Sequence, residues 1–346
     1  MTASDPNETL DPRKGAILRA IVEQYVHTAN PVGSQTIVAT SELGVSAATV
    51  RNDMGVLERE GFITHPHTSA GRIPTDKGYR FFVDNYVGSS QLSGSQRRAV
   101  SDFFTSTTRV MDDLLHETSQ LLARLTDHAA VVVGPQPDIA TVRSVQLVSI
   151  QPRVVLALVV LSNGVVEKET LLLDSDASED DVRRAGEQLQ SAMGGRPFSE
   201  VHALAPDEAA RPSRSDELAA AAADALRVHC ESRSESVFVG GASRLAAEGA
   251  SFTSPQNLTR LLELLEQQVV VVAVLRELLG PGLTVRIGSE TERADLAECS
   301  LVLAPYLVEG QPVGTIGVLG PTRMDYRQAQ AAVATISAQL SRSLPG

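Results

Sequence analysis

The chain has 346 residues and a formal net charge of −12, with 42% apolar and 21% charged residues. The composition is typical of a globular protein, and the length allows two or three domains of ~150 residues. The longest apolar runs, 154–161 and 269–275, are much shorter than the ~20 residues that span a bilayer, and the polar N-terminus does not resemble a signal peptide. We therefore expect a cytoplasmic protein without a membrane segment.

Composition also narrows the possible ligands. The only two cysteines, Cys230 and Cys299, are too few for a disulfide scaffold, and neither has a partner at metal-ligand spacing. The acidic balance argues against broad avidity for polyanions or membranes, and the absence of tryptophan disfavours single-strand binding by base stacking. Any binding to DNA must therefore depend on a local arrangement of residues.

The first 88 residues have the pattern of a helix-turn-helix. A first helix with an apolar face over 18–26 ends at the Asn-Pro-Val-Gly sequence of 30–33. Ser34 is predicted to cap a second helix that ends near Leu43. A short turn at 44–46 follows, and Ser46 is predicted to cap a third helix that ends at Glu60. The alternative is a generic three-helix packing unit.

The third helix has two contrasting faces. Its apolar face is predicted to point to the core through Ala47, Val50, Met54 and Leu57. The opposite face has small and polar residues: Ala48, Thr49, Arg51, Asn52, Gly55 and Arg59. Arginine can bond guanine edges and asparagine can bond adenine, so we expect Arg51 and Asn52 to read bases. Thr49 and Ala48 would shape this contact, and phosphates would be held by Ser34, Gln35 and Ser46.

The segment after this helix has the pattern of a wing. Two short strands, 62–65 and 72–75, flank a small polar loop over 66–71. We expect Arg72 and the loop residues His67, Thr68 and Ser69 to contact the DNA backbone or the minor groove. A helix with an aromatic face is predicted over 76–87. We expect no metal site at His65 and His67, because no third ligand lies near them in the sequence.

A Gly/Ser-rich stretch, 89–95, predicts a linker, and the rest of the chain alternates between helices and strands. Helices are predicted over 96–128, 178–193, 216–230, 255–279 and 326–340, and strands over 130–133, 142–150, 154–161, 165–173, 300–307 and 313–319. Asn163-Gly164 predicts a hairpin between two of these strands. Because strands flank a weakly patterned stretch on both sides, we expect one α+β domain, about 100–200 and 255–344, with an inserted segment.

The glycine-rich segments and nucleophiles do not form a recognisable catalytic motif. The Gly-Gly-Ala-Ser sequence of 240–243 lacks the lysine of a phosphate-binding loop. The Gly-Pro-Thr-Arg sequence of 320–323 could bind an anion at a helix N-terminus, but a tight strand-to-helix connection with Arg323 paired internally is the simpler interpretation. No nucleophile elbow or pair of catalytic carboxylates stands out. We therefore expect no catalytic residues, no cofactor and no enzymatic activity.

Three groups of motifs resemble the HrcA family of bacterial heat-inducible transcription repressors. The first group lies near the N-terminus, at 31–34, 48–54 and, most specifically, 66–80, which reads PHTSAGRIPTDKGYR. The second is RIGSE at 286–290, and the third is GPTRMDY at 320–326. The resemblance thus covers both ends of the chain, whereas the region 196–252 contains no matching motif.

This resemblance implies an α+β multidomain protein with an N-terminal winged helix over 1–88 and a linker over 89–95. It further implies a GAF-like domain, placed at 96–195 and 255–346, and an inserted dimerisation domain at 196–254. The family's function implies a homodimer that binds double-stranded DNA at an inverted-repeat operator (CIRCE) upstream of chaperone genes and is released on heat shock. A nucleoid-associated location and the chaperonin GroEL as a partner follow from the same resemblance.

A second class of function stays open at this stage. A winged-helix regulator can instead sense a small molecule in its GAF-like domain, and such a regulator would have a polar internal cavity with convergent charged groups. An enzyme built on the α+β part is the third alternative.

Overall fold

The structure is a computed structural model that describes residues 10–41, 43–66, 71–88, 91–105, 111–135, 140–162, 164–200, 213–232, 236–247, 252, 255–308 and 310–344.

The N-terminal unit, residues 10–88, is a small helical bundle with a two-stranded sheet. The elements of this unit are α1 (Pro12–Thr28), α2 (Ser34–Thr40), α3 (Ala47–Arg59), β1 (Ile63–Thr64), β2 (Ile73–Pro74) and α4 (Asp76–Phe82), which a π-helix (Val83–Val87) extends. The three predicted helices are therefore present, with ends that differ by a few residues.

The central sheet unit is a five-stranded antiparallel sheet with helices on both faces. Its strands are β3 (Ala129–Val133), β7 (Val237–Gly240), β8 (Thr284–Ile287), β9 (Cys299–Val308) and β10 (Gln311–Pro321), and the order across the sheet is β7-β3-β10-β9-β8. The helices are α5 (Gly94–Thr105), α6 (Met111–Thr126), α9 (Ala242–Ala247), α10 (Pro255–Glu266), α11 (Gln268–Leu278) and α12 (Tyr326–Ser343). The predicted strands at 130–133, 300–307 and 313–319 are confirmed.

Alternation along the strands gives the central sheet two apolar faces, as the two-residue period of a strand requires. Val132 and Ile316 face α6 and α12, whereas Val131 and Leu303 face α9, α10 and α11. The first of these cores continues without interruption into the N-terminal unit through residues such as Ile21. The N-terminal unit therefore packs on the sheet as part of one core, and even Leu92 of the predicted linker is buried in it.

The inserted unit, residues 140–232, has a separate sheet and a separate core. Its elements are β4 (Val142–Gln151), β5 (Val154–Leu161), β6 (Val166–Leu172), α7 (Glu179–Met193) and α8 (Arg214–Ser232). The strands form an antiparallel meander in the order β4-β5-β6, and one face packs against both helices. Ser178 caps α7 and forms a capping box with Asp181, as the sequence indicates.

The position of the inserted unit differs from the predicted domain boundaries. The predicted GAF-like domain includes the strands of 142–173, and the predicted insertion covers 196–254. In the structure those strands belong to the separate core, whereas β7, inside the predicted insertion, joins the central sheet. Sequence order misled here because strands that are neighbours in the chain pair in different sheets.

One predicted long helix is described in two parts, and another is divided in two. The helix predicted over 96–128 is seen as α5 and α6, and the residues between them, 106–110, lie outside the described part. The helix predicted over 255–279 breaks at Gln267, whose φ of −91° and ψ of 82° are not helical. The break allows the leucines of α10 and the valines of α11 to face the same sheet. The overall architecture combines helices with antiparallel sheets, which agrees with the predicted mixture of the two.

Among the described residues, none of the helices is both long enough and apolar enough to cross a bilayer.

Candidate nucleic-acid interface

Helix α3 begins at a well-formed cap beside a tight turn. The backbone N–H of Thr49 donates to the Ser46 hydroxyl at 3.2 Å, which satisfies one of the free amides of the first turn. Gly44 supplies the turn before it with a φ of +65°, a conformation that costs glycine little. The predicted cap at Ser46 is therefore confirmed, and it places the first turn of α3 at the surface.

The inward face of α3 contains a carboxylate that the sequence analysis missed. Val50 and Leu57 are fully buried, and Asp53 is 6% exposed beside them. Arg13 of α1 forms a two-pronged ion pair with Asp53, with Nε–Oδ2 at 2.8 Å and Nη2–Oδ1 at 3.2 Å. The hydrogen bond and the charge of Asp53 both raise the pKa of Arg13. Its spacing of three residues from Val50 was the signal that Asp53 points inward.

The three long polar side chains on the outward face of α3 have no partner among the described residues, whereas the Thr49 hydroxyl lies 3.0 Å from the Ser46 hydroxyl. Arg51, Asn52 and Ala48 are exposed, Arg59 is exposed one turn beyond Gly55, and Thr49 is half-buried. The side chains of Arg51, Asn52 and Arg59 make no hydrogen bond or ion pair with any residue that the structure describes. Unpaired arginines on an exposed helix face can form bidentate hydrogen bonds with a ligand without breaking a contact within the protein.

Gly55 keeps the middle of this face flat. A Cβ atom at Gly55 would meet a single neighbour among the described residues within 4 Å, Nη1 of Arg59 at 3.7 Å. Internal packing therefore does not require glycine here, although glycine in a helix interior costs about 1 kcal/mol relative to alanine. The open space lies between Arg51 and Arg59, where a groove wall could approach the backbone.

Two of the three residues predicted to bind phosphates are exposed, and the third is buried. Gln35 and Ser46 are exposed at the starts of α2 and α3, where free backbone amides favour anions. Ser34 is 7% exposed and is the first helical residue of α2, whereas Gly33 occupies the cap position without a side-chain hydrogen bond. The prediction that Ser34 caps α2 is thus wrong, and its buried side chain is a poor phosphate ligand.

Arg72 is bound inside the N-terminal unit. Its Nε and Nη2 lie 3.1 Å and 2.9 Å from Oε2 of Glu58, and its Nη1 lies 2.7 Å from Nδ1 of His65. Nε2 of His65 lies 3.2 Å from Oε1 of Glu58, so the three side chains connect α3 to the β1–β2 sheet. Sequence spacing did not show that Glu58 faces Arg72, and the predicted contact of Arg72 with the DNA backbone or minor groove stays a prediction.

The backbone around Arg72 is equally constrained. Its carbonyl oxygen accepts a hydrogen bond from the Val32 N–H at 2.8 Å, and its own N–H donates to the Val32 carbonyl at 2.9 Å. A Cβ atom at the preceding Gly71 would lie only 2.5 Å from the Val32 carbonyl oxygen, so this close approach needs glycine. The other three predicted wing residues, His67, Thr68 and Ser69, lie outside the described residues. The described interface therefore consists of the outward face of α3 with Gln35 and Ser46.

The family model and the curated relatives agree on one family. The family model described as the HrcA protein C-terminal domain matches residues 112–329. A heat-inducible transcription repressor HrcA from Nocardia farcinica is 40% identical over 341 residues, which cover 98% of each chain. Repressors with the same description from Mycolicibacterium smegmatis and Streptomyces avermitilis are 40% and 38% identical, and each alignment covers at least 96% of both chains.

A solved structure has a similar fold along the whole chain. It is the crystal structure of a hypothetical protein at 2.2 Å resolution, with a TM-score of 0.72 and 25% identity. The match covers 97% of this chain and 98% of the other. The similarity therefore includes the N-terminal unit, which precedes the region matched by the family model.

Proposed function

This chain belongs to the HrcA family of heat-inducible transcription repressors, and from that premise we propose that it is a homodimer that binds an inverted-repeat operator (CIRCE) upstream of chaperone genes. The family consists of repressors rather than enzymes, so the chain acts by binding DNA. Heat lifts this repression. The observation that carries the proposal is the unpaired outward face of α3.

In this proposal the N-terminal unit is a winged helix and α3 is its recognition helix. Arg51 and Asn52 lie near the N-terminal end of α3, the part of a recognition helix that contacts base edges in the major groove. Ala48 and Thr49 complete that contact, and Gln35 and Ser46 hold phosphates. The loop residues His67, Thr68 and Ser69 keep the role of wing contacts in the proposal, whereas Arg72 holds the wing to α3.

Symmetry accounts for an inverted-repeat operator. Two copies related by a two-fold axis present two recognition helices to successive major grooves, so each helix reads one half-site. The central sheet unit is the GAF-like domain of this proposal. The inserted unit, 140–232, supplies dimer contacts in place of the 196–254 segment expected from the sequence.

The separate core of the inserted unit offers a route to release on heating. The N-terminal unit and the central sheet share one core, whereas β4–β6, α7 and α8 have another. Melting of the inserted unit would separate or misplace the two recognition helices while each stays folded. A chaperonin of the GroEL type fits this scheme as the factor that refolds the inserted unit.

Operator titrations test the base-reading role. Replacement of Arg51 by alanine is expected to cost ~1–3 kcal/mol of operator binding and to reduce the preference for the operator over a scrambled duplex. Arg260→Ala is the matched control, because Arg260 is an exposed arginine on α10, beyond the far face of the central sheet. Fluorescence anisotropy without any added small molecule gives both affinities. Equal losses on the two duplexes would reject the base-reading role.

The alternative of small-molecule sensing receives less support. A cavity of about 240 Å³ lies beside the central sheet, and its lining includes Arg276 as the one charged side chain among mostly apolar residues. A second, apolar cavity under α11 holds about 20 Å³. Neither has the convergent charged groups that a polar ligand would need. A larger, open groove of about 840 Å³ is lined by charged side chains such as Arg183 and Glu187, but it lies between β4 and α7 of the inserted unit, outside the GAF-like domain of this proposal. The proposal therefore requires no ligand for repression.

A further inference from the structure

Three segments that lie far apart in the sequence meet at one surface of the molecule. They are the start of α4, the turn after β8 and the start of α12, and each belongs to a motif singled out above: 66–80, 286–290 and 320–326. None of these three segments belongs to the face of α3 that we propose reads bases. Their common location suggests a second role that concerns how the N-terminal unit is attached.

Asp76 makes the first connection. Its Oδ2 accepts hydrogen bonds from the backbone N–H of Ser289 at 2.9 Å and from the Ser289 hydroxyl at 2.8 Å. The carboxylate thereby caps the 3₁₀ turn Gly288–Thr291 from another unit of the molecule. Gly288 has a φ of +50°, and a Cβ atom there would collide with the Asp76 carboxylate, so the contact depends on glycine.

Arg80, one turn further along α4, makes the second connection. Its Nε donates to Oε1 of Glu290 at 2.8 Å, its Nη2 also pairs with Glu290, and the same Nη2 donates to the Val285 carbonyl at 2.7 Å. Burial by itself would lower the pKa of Arg80, but the hydrogen bonds and charges of Glu290 and, to a smaller extent, of Asp84 outweigh it and raise that pKa. The Arg80 and Glu290 side chains are both about 30% exposed, so water screens the pair only partly.

A parallel set of contacts ties α1 to α12. Nη1 of Arg323 donates to the Val26 carbonyl at 3.1 Å, and Nη2 of Arg327 forms an ion pair with Oε1 of Glu23 at 3.0 Å. The rings of Tyr79 and Tyr326 pack between the two sets, with centroids 5.7 Å apart. Since α3 packs directly on α1, both sets of contacts fix the direction of α3 relative to the central sheet.

We propose that Asp76, Arg80, Ser289 and Glu290, here called the joint, are positioning residues that set the distance between the two recognition helices of the dimer. They thereby determine which spacing of operator half-sites the repressor accepts. The inference rests on the proposed function, because only a dimer that reads two half-sites has a spacing preference. A fixed joint fits one spacing, whereas a loosened joint tolerates several at the cost of affinity for the best one.

Duplexes with altered spacing test the joint. The full-length protein is titrated with the inverted-repeat operator and with versions whose half-sites are moved apart by ~5 and ~10 base pairs, a half and a full helical turn. For Glu290→Gln we expect the preference for the original spacing over the half-turn shift to fall on the order of tenfold. The affinity for a duplex with a single half-site should stay unchanged.

Two further variants protect the test against misfolding and non-specific effects. Asp76→Asn keeps the side-chain shape and one acceptor oxygen, so it provides the result if Glu290→Gln does not fold. Asp127→Asn is the matched control, because it removes an exposed ion pair with Arg244 inside the central sheet unit. If Arg80 and Glu290 act as a pair, the double variant Arg80→Gln/Glu290→Gln should change the spacing preference no more than the stronger single variant.

The outcomes separate the inference from the proposed function. Joint variants that lose affinity by the same factor on every spacing would overturn the positioning role. A wild-type protein that fails to prefer the operator over a scrambled duplex would instead overturn the proposed function.

Discussion

The central sheet unit and the inserted unit differ in what their cores connect. The core on one face of the central sheet includes Ile17 and Leu57 of the N-terminal unit as well as Ile336 of α12. Among the described residues, the core of the inserted unit includes Val155 and Leu189 but no residue of the N-terminal unit. The comparison indicates that α3 shares a core with the sheet, whereas the inserted unit has a core of its own, and we therefore expect the inserted unit to unfold separately.

The largest expected effect comes from the shared core. Ile336→Ala removes a fully buried side chain from α12, which packs against α6, β9 and the π-helix. We expect a loss of about 2–5 kcal/mol in the free energy of unfolding. Hydrogen exchange should show that amides of α1–α3 and of β9 lose protection together. Full protection in α1–α3 beside an unprotected β9 would show that the two regions unfold independently.

A matched substitution in the core of the inserted unit should lower the free energy of unfolding by a similar amount but remove exchange protection from a different set of elements. Leu189→Ala also removes a fully buried side chain, with an expected cost of about 2–5 kcal/mol. Here the loss of protection should be confined to β4–β6, α7 and α8, and the operator should be released at a lower temperature than from wild type. Equal loss of protection in α1–α3 would contradict the separation of the two cores.

Within the N-terminal unit, replacement of two arginines should affect stability to different extents. Arg72→Ala leaves Glu58 without its guanidinium partner, so we expect about 1 kcal/mol of lost stability. Arg51→Ala should change the free energy of unfolding by less than ~0.5 kcal/mol, because Arg51 is exposed and has no ion pair among the described residues. Urea unfolding of both variants measures the difference. Equal stability of the two would remove the structural role assigned to Arg72.

Acid should weaken the inserted unit by a smaller amount. Hydrogen bonds from Ser178 and Ser213, at the starts of α7 and α8, hold the pKa values of Asp181 and Asp216 below the ordinary 3.8. A lowered folded-state pKa gives stability that is present above 3.8 and is lost as the pH falls through the folded value. Exchange protection in α7 and α8 should therefore decrease from about pH 5 to below 3.8.

Substitution separates this effect from acid sensitivity elsewhere. Asp181→Asn should flatten the pH dependence in α7, because the titrating group is removed. Asp295 of the central sheet unit also has a lowered pKa, mainly through its hydrogen bond with Arg293, so Asp295→Asn is the matched control and should leave α7 unaffected. An unchanged pH dependence in Asp181→Asn would exclude the capping box as its source.

Local features of the fold were predictable because they depend on near neighbours in the chain. The caps at Ser46 and Ser178 follow from a hydroxyl placed before a helical pattern, and both are present. The hairpin between β5 and β6 followed from Asn163-Gly164 between two apolar runs, and Gly164 has the positive φ of such a turn. The break at Gln267 was missed, since the sequence has no glycine or proline there.

For the site residues, the sequence predicted which side chains of α3 point outward, but it did not predict which charged side chains form ion pairs within the protein. Helical periodicity was sufficient to place Ala48, Arg51 and Asn52 at the surface. It could not show that Arg72 is held by Glu58 and His65, or that Asp53 is held by Arg13, 40 positions away. Charged residues look alike in a sequence whether their partner is a neighbouring side chain or an external phosphate.

The sequence by itself determined the period and polarity of each helix, and with them the composition of the face that we propose meets DNA. Those properties arise from contacts within a few residues, so the order of amino acids is enough to specify them. Only the tertiary structure decided which strands share a sheet and that Arg80 meets Glu290 across 210 positions. Such pairings depend on how the chain packs its apolar surface, which no local pattern specifies.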